Sequence, residues 1–387
     1  MKVLMVHNRY QIAGGEDSVV AAEVGLLRAH GHSVVMHWAD NDAIQGVASK
    51  VRAALSATYS AAARRELARV IASEQPDVVH VHNFFPSLSP SIYDACADAR
   101  VPVVQTLHNY RTICPGALLM RDQKVCELCV TGSPYQAVRY GCYRDSKLGS
   151  LAVAHMVATH RRKGTWSRKI QRVIALTEFA KAKYSEAGFD PSRIAVKPNF
   201  MADPIDGDAL GAHDEGALFV GRISREKGVE IAVEAWREQG LPLRIAGDGP
   251  LFEQLRSAAL PSTVELLGRQ TKEQVFEAMK RAQFLVMPSV WYEGFPMVIV
   301  EAFAHGLPVV CSRLGGMAEV VEDGVTGLHF EPGDAADLAD KVAQLSADPE
   351  RCRAMGRAAR NRFTSEYEES QNIRYLERIY QDAAAAL

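Results

Sequence analysis

Short runs of β-branched and other apolar residues, each closed by a polar turn and mostly separated by helical patterns, recur along the chain. KVLMVH (2–7), HSVVMHW, PDVVHVHN, VPVVQTLHN and RVIALTEF form a first series. ALFVGRIS, LPLRIAGDGP, VELLGRQ, QFLVMPS, LPVVCSRL and TGLHFEP form a second. Strands this continuously apolar are covered on both faces, which calls for parallel sheets with helices above and below. The first helical pattern runs from about Asp17, with Val20, Val24 and Leu27 on one face and Gly31 as its stop. Between the series, RIAVKPNFMADPIDGDALGAHDEG is rich in Pro, Gly and Asp, which sets a linker near Pro198–Gly216. The expectation is α/β: two doubly wound, Rossmann-like domains, 1–198 and 199–365, facing across a cleft. The segment from about Asp348 reads as wholly helical, with 366–387 returning to the first domain. A length of 387 residues suits two or three domains.

The formal net charge of -2 gives no global field for nucleic acid or anionic membrane, so any basic surface must be local. MKVLMVHNRY holds too short an apolar run for a signal-peptide core, and no stretch approaches a membrane helix. A cytoplasmic location is the expectation. The odd count of 7 cysteines without a secretory signal argues for reduced thiols or a metal site.

Open α/β sheets bind ligands at the carboxyl ends of their strands. After the first strand, Gly14 and Gly15 precede a helix, a place where backbone amides can hold phosphate, though a flexible turn would read the same. In FVGRISREKG, Arg222 and Lys227 end a strand and precede a helix from Gly228; they suit a diphosphate or a solvated basic loop equally. EGFPMVIVE (293–301) follows the strand QFLVMPS. Pro296 suits a first helical turn, and Gly294, Phe295, Pro296, Met297 and Val298 surround a helix N-terminus able to take hydroxyls or phosphate. Glu293 sits before the turn and Glu301 one to two turns along the helix, in apolar company. A buried, unpaired carboxylate is costly, so a bound polyol explains both glutamates together.

Glu-x7-Glu in EGFPMVIVE, preceded by GRISREKG and RIAGDGP and followed by GLPVV, resembles the family 4 glycosyltransferases. GGED, DVVHVHN, TLHN, ALTEF and KPN extend the resemblance over most of the chain. It implies a retaining, nucleotide-sugar-dependent enzyme of GT-B fold, a hexosyltransferase of EC 2.4. By the same resemblance Arg222 and Lys227 bind the donor diphosphate, Glu293 the transferred sugar and Glu301 the ribose. His108 touches the donor sugar and Gly15 lies near the diphosphate. Fixed cations beside the leaving oxygen then supply the electrostatic stabilisation, and no metal is required for chemistry. Asp-x-Asp in ADND and IDGD reads as chance. The donor implied is a UDP- or GDP-sugar, and the acceptor a glycan or a polyprenyl-diphosphate-linked glycan in cell-surface polysaccharide synthesis. Other GT-B activities, a nucleotide-sugar epimerase or a phosphorylase, and a non-catalytic donor-binding subunit are the alternatives.

One insert (114–142) departs from the general family pattern: Cys114, Cys126, Cys129 and Cys142 could give four thiolates to a structural zinc, or be reduced cysteines of a mobile lid. Such a loop carries little apolar content with which to fold alone. RRKGTWSRKIQR (161–172) holds six basic residues and no acidic one, which suits a solvated helix face or a peripheral contact with anionic lipid on the inner membrane face.

Overall fold

The computed structural model describes residues 1–9, 15–40, 46, 54–205 and 211–387. They divide into two compact units. One comprises Met1–Arg121, Cys126–Asn199 and Asn372–Leu387; the other Asp122–Val125 and Phe200–Gln371.

The first unit is built on β1 (Lys2–Arg9), β2 (Ser33–Asp40), β3 (Val78–Asn83), β4 (Val103–Thr106), β5 (Arg172–Ala175) and β6 (Ile194–Val196). They form one parallel sheet in the order β2-β1-β3-β4-β5-β6. Strand order reverses between β1 and β3, which opens a crevice at their carboxyl ends. All six residues of β3 are buried, its polar His80, His82 and Asn83 along with its three valines. Helix α1 (Gly15–Ala29) buries Val20, Val24 and Leu27, and with them Glu23. Helix α2 (Ala61–Glu74) starts where Ser60 accepts the Ala63 amide, a standard N-cap. Helix α3 (Lys147–Lys163) is capped likewise by Ser146 and stops at Gly164, whose φ of 60° suits glycine.

The second unit repeats the scheme with β7 (Ala217–Val220), β8 (Leu243–Ala246), β9 (Val264–Gly268), β10 (Phe284–Met287), β11 (Val309–Ser312) and β12 (Gly327–Phe330). The parallel order β9-β8-β7-β10-β11-β12 is that of a dinucleotide-binding sheet, reversing between β7 and β10. Alternate residues feed opposite cores. Phe219, Phe284, Val286 and Val310 pack on one face of the sheet, while Leu218, Leu285, Val309 and Cys311 pack on the other. Helix α4 (Val229–Ala235) follows β7, and α5 (Met297–Ala304) follows β10.

Past β12, α6 (Ala335–Ala347) leads to α7 (Pro349–Arg362), which begins with Asp348 accepting the Arg351 amide and Pro349 in the first turn. The tail is not helical throughout. A wide turn at Phe363–Tyr367 buries both its aromatic ends, and extended Glu368 separates it from α8 (Glu369–Ala385). Residues Asn372–Leu387 belong to the first unit, where Tyr380 and Asn372 are buried. No helix among the described residues is long and apolar enough to cross a membrane.

Candidate active site

In the second unit the loops after β7 and β10, which flank the strand reversal, are stitched together by backbone. Val290 N donates to Glu226 O (3.0 Å), while Ile223 N ties the β7 loop to the loop after β8 by donating to Asp248 O (2.9 Å). Gly228, at φ +69°, packs so closely that a Cβ there would stand 1.9 Å from Pro288 O. Only glycine allows this approach, and it brings the end of one loop onto the other.

Lys227 is thereby carried to Glu293. Its Nζ donates to both carboxylate oxygens, 2.8 and 3.0 Å away. Ser289 Oγ (2.7 Å) and Trp291 Nε1 (2.9 Å) donate to Oε1 as well. Glu293 is 5% exposed, so its charge is held in place by three donors rather than by water. Oε1 is saturated, whereas among the described residues Oε2 takes Lys227 alone and keeps lone pairs for a ligand. Arg222 is exposed.

Pro296 is the residue before α5, with φ -82° and ψ 85°, rather than its first helical residue. The Met297 amide is used locally, donating to Phe295 O (3.0 Å), so it is not among the amides on offer. Gly294, Phe295 and Val298 lie half-buried around this turn. Glu301, half-buried within α5, has a carboxylate with no hydrogen bond or ion pair among the described residues, although its main-chain oxygen accepts from His305 Nδ1 (2.7 Å). Burial raises its pKa and Lys272 offsets part of this. A pocket lined by His213, Gln283, Cys352, Arg353 and Arg357 lies at the amino ends of β10 and β11, the opposite end of the sheet from Lys227 and Glu293.

In the first unit the structure places His108 against a buried polar cluster whose other members the sequence gave no role. His80 and His82, two apart on β3, share a face. Glu23, on the apolar face of α1, reaches both: its Oε1 is 3.2 Å from His80 Nδ1 and from His82 Nε2. Lys197, just past β6 and 1% exposed, places Nζ 3.2 Å from Glu23 Oε2 and 3.1 Å from Asn372 Oδ1. His80 is also held by Tyr380 OH (2.7 Å) and Thr106 Oγ1 (2.8 Å). His108, beyond β4, meets His82 through Nε2 and Nδ1 at 2.9 Å, the rings stacked 5.2 Å apart. Burial pushes Glu23 up, but Lys197 and the two histidines outweigh it and hold the carboxyl well below its ordinary range. Burial, with His80 beside it, lowers His82 to about 4; burial also holds His108 well below the usual imidazole value. The signal in the sequence was a His-x-His strand end and a glutamate on an otherwise apolar helix face.

Glu23, His80 and His82 bring their ligand atoms within 4.8 Å of one another, a spacing that would suit a metal ion. The donor set does not fit one here. The Lys197 ammonium already neutralises Glu23, and both His80 nitrogens are engaged by Tyr380 and Thr106. A dication would have to displace a buried lysine.

Gly14 lies outside the described residues, as do Asp42, Asp206 and Asp208 of the two Asp-x-Asp stretches. Gly15 opens α1 exposed, and a Cβ on it would meet nothing within 4 Å. Cys114, Cys126, Cys129 and Cys142 all lie in the first unit as free thiols, while Cys311 and Cys352 sit in the second. Burial first, then the neighbouring Cys114, Cys142 and Cys126 thiols, push Cys129 up to about 12. The thiols are less tightly grouped than the Glu23 set, since among the described residues no three of their sulfurs lie mutually within 4.8 Å. The insert is better furnished with apolar residues than its sequence suggested: Ala117, Leu119, Val130 and Ala137 are buried. The basic run is not a uniform solvated face either. Arg161 donates to Cys129 O and Gly132 O (each 2.8 Å), Lys169 bonds Asp94, and Trp166 is buried, leaving Arg162, Lys163 and Arg168 exposed.

Two sequence families match the chain: a "Glycosyl transferase 4-like domain" over residues 14–199 and "Glycosyl transferases group 1" over residues 210–362. An uncharacterised glycosyltransferase of Methanocaldococcus jannaschii is 32% identical over 43% of this chain and 47% of its own length. A glycogen synthase of Mycobacterium tuberculosis is 36% identical over 39% of this chain and 38% of its own. The chain thus spans about half or less of the length of these relatives. N-acetyl-alpha-D-glucosaminyl L-malate synthase of Bacillus anthracis is 24% identical over 84% of this chain and 79% of its own length. Among solved structures, Anabaena HepE in complex with UDP aligns with a TM-score of 0.69 at 18% identity, covering 98% of this chain and 100% of that one. Sucrose-phosphate synthase of Thermosynechococcus elongatus aligns with a TM-score of 0.72 at 18% identity, covering both chains fully.

Proposed function

We propose, from the premise that both domains are those of a GT-B glycosyltransferase of the family 4 type, that this chain moves a sugar from a nucleotide-diphosphate donor to a glycan or lipid-linked acceptor, with retention of configuration. The observation that carries this reading is the Lys227–Glu293 pair, fixed by Ser289 and Trp291 at the strand reversal of the second sheet.

The second unit holds the donor. Arg222 and Lys227 face the diphosphate and stabilise charge on the departing phosphate. Glu293 Oε2 accepts a sugar hydroxyl, Gly294 to Val298 line the same turn, and Glu301, whose carboxylate has no hydrogen-bond partner among the described residues, takes the ribose diol. The acceptor belongs to the first unit, where His108 bonds a hydroxyl of the transferred sugar. Side-chain cations and helix amides do the work a divalent metal would do, so no metal enters the chemical step. The donor is a UDP- or GDP-sugar, a reading to which the UDP named with HepE lends support. The acceptor is a growing cell-surface polysaccharide, met on the inner face of the cytoplasmic membrane through Arg162, Lys163 and Arg168.

The four insert cysteines hold one structural zinc. Their chemistry fits that ion, and the neighbouring Cys114, Cys142 and Cys126 thiols disfavour the Cys129 thiolate, a repulsion that a dication drawing the four together would relieve.

Thermal shift against UDP-, GDP-, ADP- and TDP-sugars, followed by assay of nucleoside diphosphate release, tests the donor reading. One nucleotide-sugar should raise Tm and be slowly hydrolysed, and the anomeric signal of the transferred product should keep the donor's configuration. Absence of binding and of release across the panel would overturn the reading.

A further inference from the structure

We propose that Glu23 and His82 are positioning residues that hold His108 in a single tautomer, with its Nδ1 bare and ready to accept a hydroxyl of the bound sugar. This rests on the sugar-binding role given to His108 above.

His82 stands between the other two side chains, its Nε2 3.2 Å from Glu23 Oε1 in a bent contact, its Nδ1 2.9 Å from His108 Nε2. Lys197 Nζ, 3.2 Å from Glu23 Oε2 and shielded from water, keeps that carboxylate anionic. A carboxylate only accepts, so neutral His82 carries its proton on Nε2 and is left with an acceptor at Nδ1. His108 must then donate from Nε2. Its ring is neutral because burial disfavours the imidazolium, and one proton on Nε2 leaves Nδ1 with a lone pair. Nothing among the described residues occupies that nitrogen.

His80 shares Glu23 Oε1 at 3.2 Å, but Tyr380 and Thr106 hold its two ends and keep it from displacing His82. The polarity of the whole row is thus set at its far end, by the charge on residue 23. An isolated neutral histidine at a strand end would instead populate both tautomers and present a donor at Nδ1 part of the time.

Nitrogen NMR of the full-length protein with labelled histidine reads the tautomer directly, without any donor. Wild type should show His108 protonated on Nε2 alone. Glu23→Gln presents an amide donor or acceptor in place of the carboxylate and should lose this single state, with a fall of about 10-fold or more in nucleoside diphosphate release from the best donor. Should Glu23→Gln fail to fold, His82→Leu leaves the Glu23–Lys197 pair intact and should give mixed His108 tautomers. His82→Gln, whose side-chain oxygen can accept from His108, should restore the Nε2–H form.

His108 protonated on Nδ1 in wild type overturns the proposal, as does an unchanged His108 signal in His82→Leu. So does a shifted tautomer with undiminished turnover. The donor reading fails separately: a single Nε2–H tautomer in a protein that turns over no nucleotide-sugar would contradict the function and leave the tautomer assignment standing.

Discussion

Lys227 Nζ binds both oxygens of the Glu293 carboxylate, at 2.8 and 3.0 Å, across 66 residues of chain. The pair is neutral as a whole and fixed from below by Ser289 and Trp291. Arriving phosphate oxygens can therefore compete for Lys227 while Glu293 stays in position, held by its neutral donors. Glu293→Gln keeps an acceptor for Ser289 and Trp291 but removes the charge. A lost hydrogen bond to a charged group costs about 1.5–3 kcal/mol, roughly a 10- to 100-fold fall in kcat/KM, with Tm little changed. Wild-type kcat/KM in the folded variant would take Glu293 out of the site.

Glu301 behaves oppositely toward stability. Burial raises its pKa above the unfolded value, so its charge costs stability at neutral pH. Glu301→Gln should leave Tm equal or higher while raising KM for the donor. A lower Tm with an unchanged KM would mean that the carboxylate serves the fold.

Gly228→Ala meets Pro288 O at 1.9 Å from a left-handed backbone position. Strain and clash together should cost at least ~1–3 kcal/mol in urea unfolding and pull Lys227 from Glu293. Unfolding and activity both like wild type would show that the two loops move freely.

Acid should weaken the first unit before its carboxylates titrate. His82 falls from an ordinary 6.5 to about 4 in the fold, so below 6.5 the unfolded chain binds a proton that the folded one refuses. Stability from this group is complete above pH 6.5 and is lost progressively down to about pH 4, by about 3 kcal/mol at the lower end. Below that, protonation of Glu23 removes the Lys197 pair as well. A flat unfolding free energy between pH 6.5 and 4, by urea titration at each pH, would contradict this, and His82→Leu should flatten the slope.

Purified, reduced protein not exposed to chelator should carry close to one zinc per chain, with sulfur–zinc distances of ~2.3 Å by X-ray absorption. Metal content below ~0.2 per chain would rule out a tight site. Since the insert has its own buried Leu119 and Val130, Cys129→Ser should loosen it without unfolding the unit.

The order of elements was legible in the sequence by itself, because strands of a parallel sheet are apolar on both faces and helices keep one apolar stripe. KVLMVH through TGLHFEP became strands, and α1 buried the face its spacing predicts. Glu293 and Glu301 stood out for the same local reason: a carboxylate among Val, Ile and Phe must answer to something. Tertiary structure alone decided what they answer to. Glu293 is met by a lysine 66 positions away because a glycine lets two loops touch. The Glu301 carboxylate has no hydrogen-bond or ion-pair partner among the described residues, only the more distant charge of Lys272. The Glu23–His82–His108 row was equally out of reach of local reading. Its members come from α1, β3 and the loop after β4, and Lys197 from beyond β6, neighbours only through the register of parallel strands. Periodicity fixes which face a residue takes, but what stands opposite that face depends on pairings between distant strands, which no local pattern encodes.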